Sequence, residues 1–360
     1  MKIAVMTLPL SNNYGGNLQA FALVKLLKNL GYEPIFINLK RKITFKIYFK
    51  FIIKNILGLF IVKYKNPTFP IKRTKQMASF IDRYIFPKTD EIFSSVELEK
   101  ICIKEKFDAC IVGSDQVFRP EYFWLYKDSF SLGFLNDNVI KLSYAASFGG
   151  AKYSGDNKEF HAKNFKKFRA ISVREKSGIK VCKETFGVDA TWVLDPTMML
   201  EIDEYKKLFK DIKASNSKGR IFAYVLDKSL EKQTLINNFA KDKNLEIYEI
   251  NDGNLSSDII SIEEWLKSIY EADTIITDSF HGCVFSILFN KPFYAFINKE
   301  RGADRFYSLF EMFDLFDRII DCNNFSQKNI NYKKVNEIIK EQKELSKKFL
   351  ISNLKVDNAK

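Results

Sequence analysis

Residues 2–39 read KIAVMTLPLSNNYGGNLQAFALVKLLKNLGYEPIFINL. Residues 2–8 are nearly all apolar, as a strand covered on both faces of a parallel sheet is. A polar loop with glycines, residues 11–16, comes next. Residues 17–30 then carry apolar side chains at helical spacing and stop at Gly31, and 34–39 form a second apolar strand. Strand, glycine loop, helix and strand make a βαβ unit, and a chain that repeats the unit is α/β with parallel sheets.

The repeat continues. Apolar strands are expected at 107–112, 140–145 and 170–173; the first two run into Gly113-Ser114-Asp115-Gln116 and Ser147-Phe148-Gly149-Gly150, and the third ends at Arg174-Glu175. The alternation then restarts. Strands are expected at 220–226, 245–250, 274–277 and 292–297, and helices at 230–241, at 261–270 with Ser261 as cap, and from after Gly282 to Phe289. The expected architecture is two Rossmann-like doubly wound halves, 1–190 and 191–330, facing a cleft. A basic helical insertion occupies about 40–100 of the first half, and a polar helix at 332–349 with a tail fills 331–360. In such sheets ligands bind beyond the carboxyl ends of the strands.

The 360 residues carry a net charge of +13. Of the 57 basic residues only ten are Arg, and there are two histidines, His161 and His281. The lysines are spread along the chain. No zinc finger, aromatic RNA-binding signature or basic region with heptads accompanies them, so no nucleic-acid partner is expected. The one local basic feature lies in 40–65, where Lys42, Lys46, Lys50 and Lys54 recur among aromatic and aliphatic residues. This is read either as a helix in peripheral contact with an anionic membrane or as a packed helix with snorkelling lysines. Three of these lysines interrupt the apolar run and count against a membrane span. The opening apolar segment is too short for a secretory signal. The five cysteines are odd in number and have no C-x-x-C spacing, as for small buried hydrophobes in a reducing compartment. A cytoplasmic location, at the inner face of a membrane if 40–65 binds one, is the expectation. No H-E-x-x-H, D-x-D or His/Cys cluster appears, so neither a metal nor a cofactor is expected.

Four motifs sit where strands should end. Asn12-Asn13-Tyr14-Gly15-Gly16-Asn17 is a ligand loop that uses glycines for close approach, or a plain tight turn. Ser114-Asp115-Gln116 is a polar trio after a buried strand, or a helix cap. Arg174 offers a planar fork for phosphate or carboxylate, or pairs with Glu175 or Asp195. Asp278-Ser279-Phe280-His281-Gly282 puts a histidine between a strand and a helix, a position for proton transfer. His161, in a polar stretch, reads as a surface residue. No G-x-S-x-G elbow supports a serine hydrolase.

As an ordered set, KIAVMTLPLSNNYGGNLQAFAL, VGSDQVF, SYAASFG, ISVRE, VLDPT and TDSFHGCVFSILFNKPF resemble the polysaccharide pyruvyltransferase family over roughly 2–297. The resemblance implies a GT-B-like fold and transfer of the pyruvyl group of phosphoenolpyruvate, the donor substrate, to two hydroxyls of a sugar. The product is a ketal on a cell-surface polysaccharide or its precursor, so the acceptor partner is a glycan or lipid-linked oligosaccharide. His281 matches the family's catalytic His and Arg174 its donor-binding Arg. Family members usually carry Arg-Leu just before that His, where this chain has Ser279-Phe280; Arg301 and Arg305 are the cations at hand to replace the missing charge. Backbone N–H groups near Gly15, Gly16 and Gly282 would help bind the donor, and Asp115 or Asp278 would orient His281 or bind the sugar. Asn17, Ser114, Gln116 and Ser279 complete the expected site. A GT-B glycosyltransferase with a nucleotide-sugar donor and a non-catalytic glycan-binding or assembly protein are the alternatives.

Overall fold

In the computed structural model, β1 (Lys2–Met6) lies between β2 (Glu33–Phe36) and β3 (Ala109–Gly113), with β4 (Ile140–Tyr144) outside β3, all parallel. Short strands β5 (Ser172–Val173) and β6 (Thr191–Trp192) pair with each other. Single parallel bridges, Leu142 to Ala170 and Ala146 to Val173, continue the layer from β4. The second sheet holds β7 (Ile221–Tyr224), β8 (Ile247–Ile250), β9 (Thr274–Thr277) and β10 (Phe293–Ala295) in the order β10-β9-β7-β8. The structure describes residues 1–40, 74–123, 129–250, 259–298, 301–320, 325–326 and 328–355.

Both sheets share one winding. The first strand of each is flanked by its second and its third, so the direction of winding reverses between β1 and β3 and again between β7 and β9. At such switch points the loops beyond the strand ends part and leave a crevice. The strands that frame them are largely apolar because helices cover both faces. Ile3, Ala4, Val5 and Met6 are buried, as are Ile275 and Ile276.

One element begins earlier than its periodicity predicts. Helix Tyr14–Asn29 starts at Tyr14 because the Asn13 side chain accepts the Gly16 N–H at 3.0 Å and caps it. Gly15 and Gly16 therefore belong to the first helical turn, not to a loop. Gly31, at φ +85°, ends the helix as expected.

The two halves share a continuous apolar core. Tyr14 stacks on Trp265 of helix Ile262–Glu271 at 5.3 Å between centroids and 9° between planes. Its hydroxyl donates to the Ile260 carbonyl at 2.9 Å. Helix Tyr332–Leu354 runs beyond the expected end at Phe349 because Leu350 and Leu354 are also buried. Its Ser346 hydroxyl accepts the Leu194 N–H at 3.0 Å. Within the expected insertion, helices Lys75–Tyr84 and Ser95–Glu105 are present, and the Thr74 N–H donates to Asn12 Oδ1 at 2.9 Å. The lysine stripe, Lys42, Lys46, Lys50 and Lys54, lies outside the described residues. No helix among the described residues is long and apolar enough to cross a membrane.

Candidate functional site

Asp195 stands where the two switch points meet. It follows β6 and caps the short helix Pro196–Met199, its Oδ1 accepting from the Thr197 N–H at 2.9 Å and the Thr197 hydroxyl at 2.6 Å. Its Oδ2 accepts from the Ser114 hydroxyl, beyond β3, at 2.7 Å and from Arg174 Nη1, beyond β5, at 3.0 Å. His281 Nε2, from the second half, lies 3.8 Å from the same oxygen. Burial would push the Asp195 carboxyl up. The His281 ring, Arg174 and the Thr197 bonds outweigh burial and hold it well below the usual carboxylate range.

Arg174 is 4% exposed. Its Nε donates to Glu175 Oε1 at 3.3 Å, its carbonyl accepts from Trp192 Nε1 at 2.9 Å, and its Nη2 has no partner. Burial opposes its charge, but Glu175, Asp195 and Asp115 prevail and raise its pKa, so it is a fixed cation. Both ion pairs weighed for Arg174 thus form, and one edge of the guanidinium still remains open. Burial pushes the Glu175 carboxyl up.

His281 is in the first turn of helix Phe280–Leu288, which Ser279 caps by accepting the Gly282 N–H at 3.3 Å. The imidazole lies against the backbone of Gly15. A Cβ on Gly15 would fall 2.0 Å from Nδ1 and 2.4 Å from Cγ, so this position takes glycine for lack of space, not for its conformational freedom. Nε2 is buried without a hydrogen-bond partner, since 3.8 Å to Asp195 is too far for one.

Phe280 carries two cations on its ring. The guanidinium carbon of Arg174 is 4.5 Å from the centroid and that of Arg305, from helix Asp304–Phe313, is 5.6 Å. Arg305 keeps some accessible surface, yet its Nε is shut off from solvent and unpartnered. Burial, then the charge of Arg174, push its pKa down to about 10. Arg174, Trp192, Asp195, Phe280, Arg305 and Ser308 line a narrow pocket, with Met198 and Met312 in its apolar wall. As closed here it has room for little more than a water molecule. The two methionines are unbranched and can yield to something larger.

Other expected residues have different positions. Asp278 does not face His281. Its carboxylate accepts the Leu226 N–H at 2.6 Å, the Asp227 N–H at 3.1 Å and Lys232 Nζ at 2.8 Å, which ties down the loop after β7. Arg301 forms a bidentate pair with Asp227, at 2.9 and 3.0 Å. Gln116 bridges the halves by donating to the Arg301 carbonyl at 2.8 Å. Asp115 accepts from the Gln116 N–H, and no helix starts directly after β3 for Ser114 or Asp115 to cap. Asn17 Nδ2 donates to the Ser11 carbonyl at 2.9 Å, while its Oδ1 is buried without a partner. His161 is a correction: it is buried, 4% exposed, with Nδ1 3.2 Å from the Ser131 hydroxyl, because the helix face that carries His161, Asn164 and Phe165 turns inward while Lys158, Glu159 and Lys163 stay exposed. Cys102, Cys110, Cys182 and Cys283 are buried thiols; burial raises Cys110 and Cys283 far beyond reactivity and pushes Cys102 and Cys182 up to about 12. Asp195, the hub, is expected from the sequence only as an ion-pair partner of Arg174, although it belongs to the VLDPT motif. Its signal was an Asp-Pro step at a strand end.

Two doubly wound halves with their strand ends turned to a common pocket define the GT-B fold. Solved structures share the architecture at low identity. The S. aureus MnaA–UDP structure matches at 13% identity and TM-score 0.51, covering 94% of this chain and 87% of that one. A putative UDP-N-acetylglucosamine 2-epimerase from Listeria monocytogenes matches at 8% and 0.50, covering 98% and 95%. The UDP-GlcNAc 2-epimerase from Neisseria meningitidis, bound to UDP-GlcNAc, matches at 10% and 0.50, covering 98% and 99%. These likenesses show the fold alone. No curated protein matches the sequence. The polysaccharide pyruvyl transferase family matches residues 13–300, and the chain belongs to it. It is therefore a transferase of polysaccharide biosynthesis, with a donor substrate and a glycan acceptor.

Proposed function

We propose that the enzyme transfers the pyruvyl group of phosphoenolpyruvate to two hydroxyls of one sugar in a cell-surface polysaccharide or its precursor. One observation carries the reading. Four side-chain nitrogens among the described residues are buried without a partner, and three of them, Arg174 Nη2, His281 Nε2 and Arg305 Nε, stand at this pocket or beside it. Unsatisfied buried donors are costly, so a group of them argues for a bound anion. Phosphoenolpyruvate brings a carboxylate and a phosphate.

The chemistry follows from these groups. A proton adds to the terminal carbon of the enol, and the central carbon becomes electrophilic. A sugar hydroxyl attacks it, the bond from that carbon to the phosphate-bearing oxygen breaks, and phosphate leaves with the electron pair. A second hydroxyl closes the ketal. The two hydroxyls lose two protons; one balances the new methyl group and the other leaves on phosphate. His281 carries a proton in one of these steps, within reach of the Asp195 charge. Arg174 holds the donor, and its fixed charge lowers the barrier as negative charge builds on the departing phosphate. Ser114 and Asp195 hold Arg174 in place.

Phosphate release from phosphoenolpyruvate with candidate glycans tests the reading. His281→Ala and Arg174→Ala each lower turnover, by about 10²- to 10⁴-fold for the proton carrier. Wild-type turnover in both variants overturns the assigned roles. Thermal protection by a UDP- or GDP-sugar, with none by phosphoenolpyruvate, overturns the donor in favour of glycosyl transfer.

A further inference from the structure

We infer that Arg305 takes the phosphate end of the donor, so that Phe280 and Arg305 together supply a cation that the segment around His281 does not. The inference rests on the pyruvyl-transfer reading and assigns the two ends of its donor.

Arg174 and Arg305 are unequal. Arg174 spends Nη1 on Asp195 and Nε on Glu175 and keeps one edge open. A single open edge suits one carboxylate. Arg305 has no carboxylate partner among the described residues, and its Nε is buried. A guanidinium whose Nε is buried with no hydrogen-bonded carboxylate is uncommon, because desolvation of that edge is not offset by a direct partner. The nearby charge of Arg174 makes its position still less favourable, and the more distant pull of Asp115 and Glu175 does not make up for it. Phe280, 2% exposed, has both guanidinium carbons over its ring, at 4.5 and 5.6 Å, and offers them no hydrogen-bond acceptor, so their free N–H groups are left for a ligand. An unpaired fork matches the geometry of a phosphate that carries two charges. Among the other candidates Arg301 is engaged by Asp227, and Lys232 by Asp278.

The test measures thermal protection and affinity of the full chain for three probes: inorganic phosphate, pyruvate, which has the carboxylate alone, and phosphoenolpyruvate. Arg305→Met keeps the packing against Phe280 and removes the like-charge conflict, so it folds; Arg305→Lys keeps a charge without the fork. Arg305→Met is expected to weaken phosphate and phosphoenolpyruvate by about 10- to 100-fold, the scale of a charge-assisted hydrogen bond, and to leave pyruvate unchanged. Arg305→Lys falls between. Phosphate affinity unchanged in Arg305→Met, equal weakening of pyruvate and phosphate, or no protection of the wild type by phosphate overturns the assignment. The two readings fail separately. Turnover with phosphoenolpyruvate at an unchanged KM in Arg305→Met removes Arg305 and leaves pyruvyl transfer standing. Phosphate binding that depends on Arg305, with phosphoenolpyruvate bound no tighter than phosphate and never turned over, removes the donor and leaves the phosphate site.

Discussion

Gly15→Ala tests whether the position of His281 matters. A Cβ there would lie 2.0 Å from Nδ1, 2.4 Å from Cγ and 2.7 Å from Cε1 of the ring. Ordinary contact begins at 3.4 Å, so the ring must retreat by roughly 1.4 Å. Turning the outer ring atoms aside does not clear Cγ, which is anchored through Cβ to the first turn of helix Phe280–Leu288. Misplacing a reacting group by about 1 Å costs about 10²-fold in rate. Stability changes less. Gly15 is inside a helix, where alanine gains up to about 1 kcal/mol over glycine, against about 1–3 kcal/mol for overpacking. The expected result is a kcat for phosphate release lower by about 10²-fold, with a melting temperature within a few degrees of the wild type. The two substitutions act through one ring, so Gly15→Ala should cost nothing more when added to His281→Ala. Wild-type turnover in Gly15→Ala, or a further full loss in the double variant, would refute the reasoning.

Tyr14→Ala removes the ring that joins the halves against Trp265 and the hydroxyl bound to Ile260; urea unfolding should show a loss of about 3–5 kcal/mol, and a loss below about 1 kcal/mol would mean the halves are not joined there. Asp195 has a folded pKa below its ordinary value of 3.8, so its contribution to stability is complete above that pH and erodes as the pH falls further. The melting-temperature gap between wild type and Asp195→Asn should therefore hold from neutral pH down to about 5 and narrow below about 4; a gap that widens in acid contradicts the assigned charge.

Much of the fold is legible because parallel strands buried on both faces carry few polar residues to blur them, and most loops between strand and helix are short. β9 begins and ends where its apolar run does, at Thr274 and Thr277. The start of the first helix was misplaced because Asn-Asn-Tyr-Gly-Gly looks like a loop by composition, and only the Asn13 cap makes it a helical turn. Arg174 and His281 could be singled out because Arg and His are scarce in this chain. Asp195 could not be seen as the hub, since its partners Ser114 and His281 come from distant parts of the sequence and meet only when the halves pack. The same limit explains Asp278, whose neighbours in sequence point to His281 while its hydrogen bonds go to the backbone after β7. His161 looked exposed because charged residues surround it in sequence, whereas its own face of the helix meets Ser131.

The ion pair of Arg174 with Asp195 is not explained by stability. A buried pair roughly repays its desolvation, and apolar residues of the same volume would often do as well. The pocket bears further costs: an open edge on Arg174, an unpaired Nε on Arg305, and a histidine nitrogen without a partner. These costs coincide at the junction of the two switch points, while Trp265 is the remaining buried nitrogen of this kind among the described residues. Departures from local satisfaction that gather in one place are what the proposed site requires, since functional sites are where proteins bear such costs. The role of Asp195 is then directional. It fixes one edge of Arg174 so that the other faces the pocket, and it places a negative charge beside the ring that enters from the opposite half. An apolar replacement would fill the space and lose both.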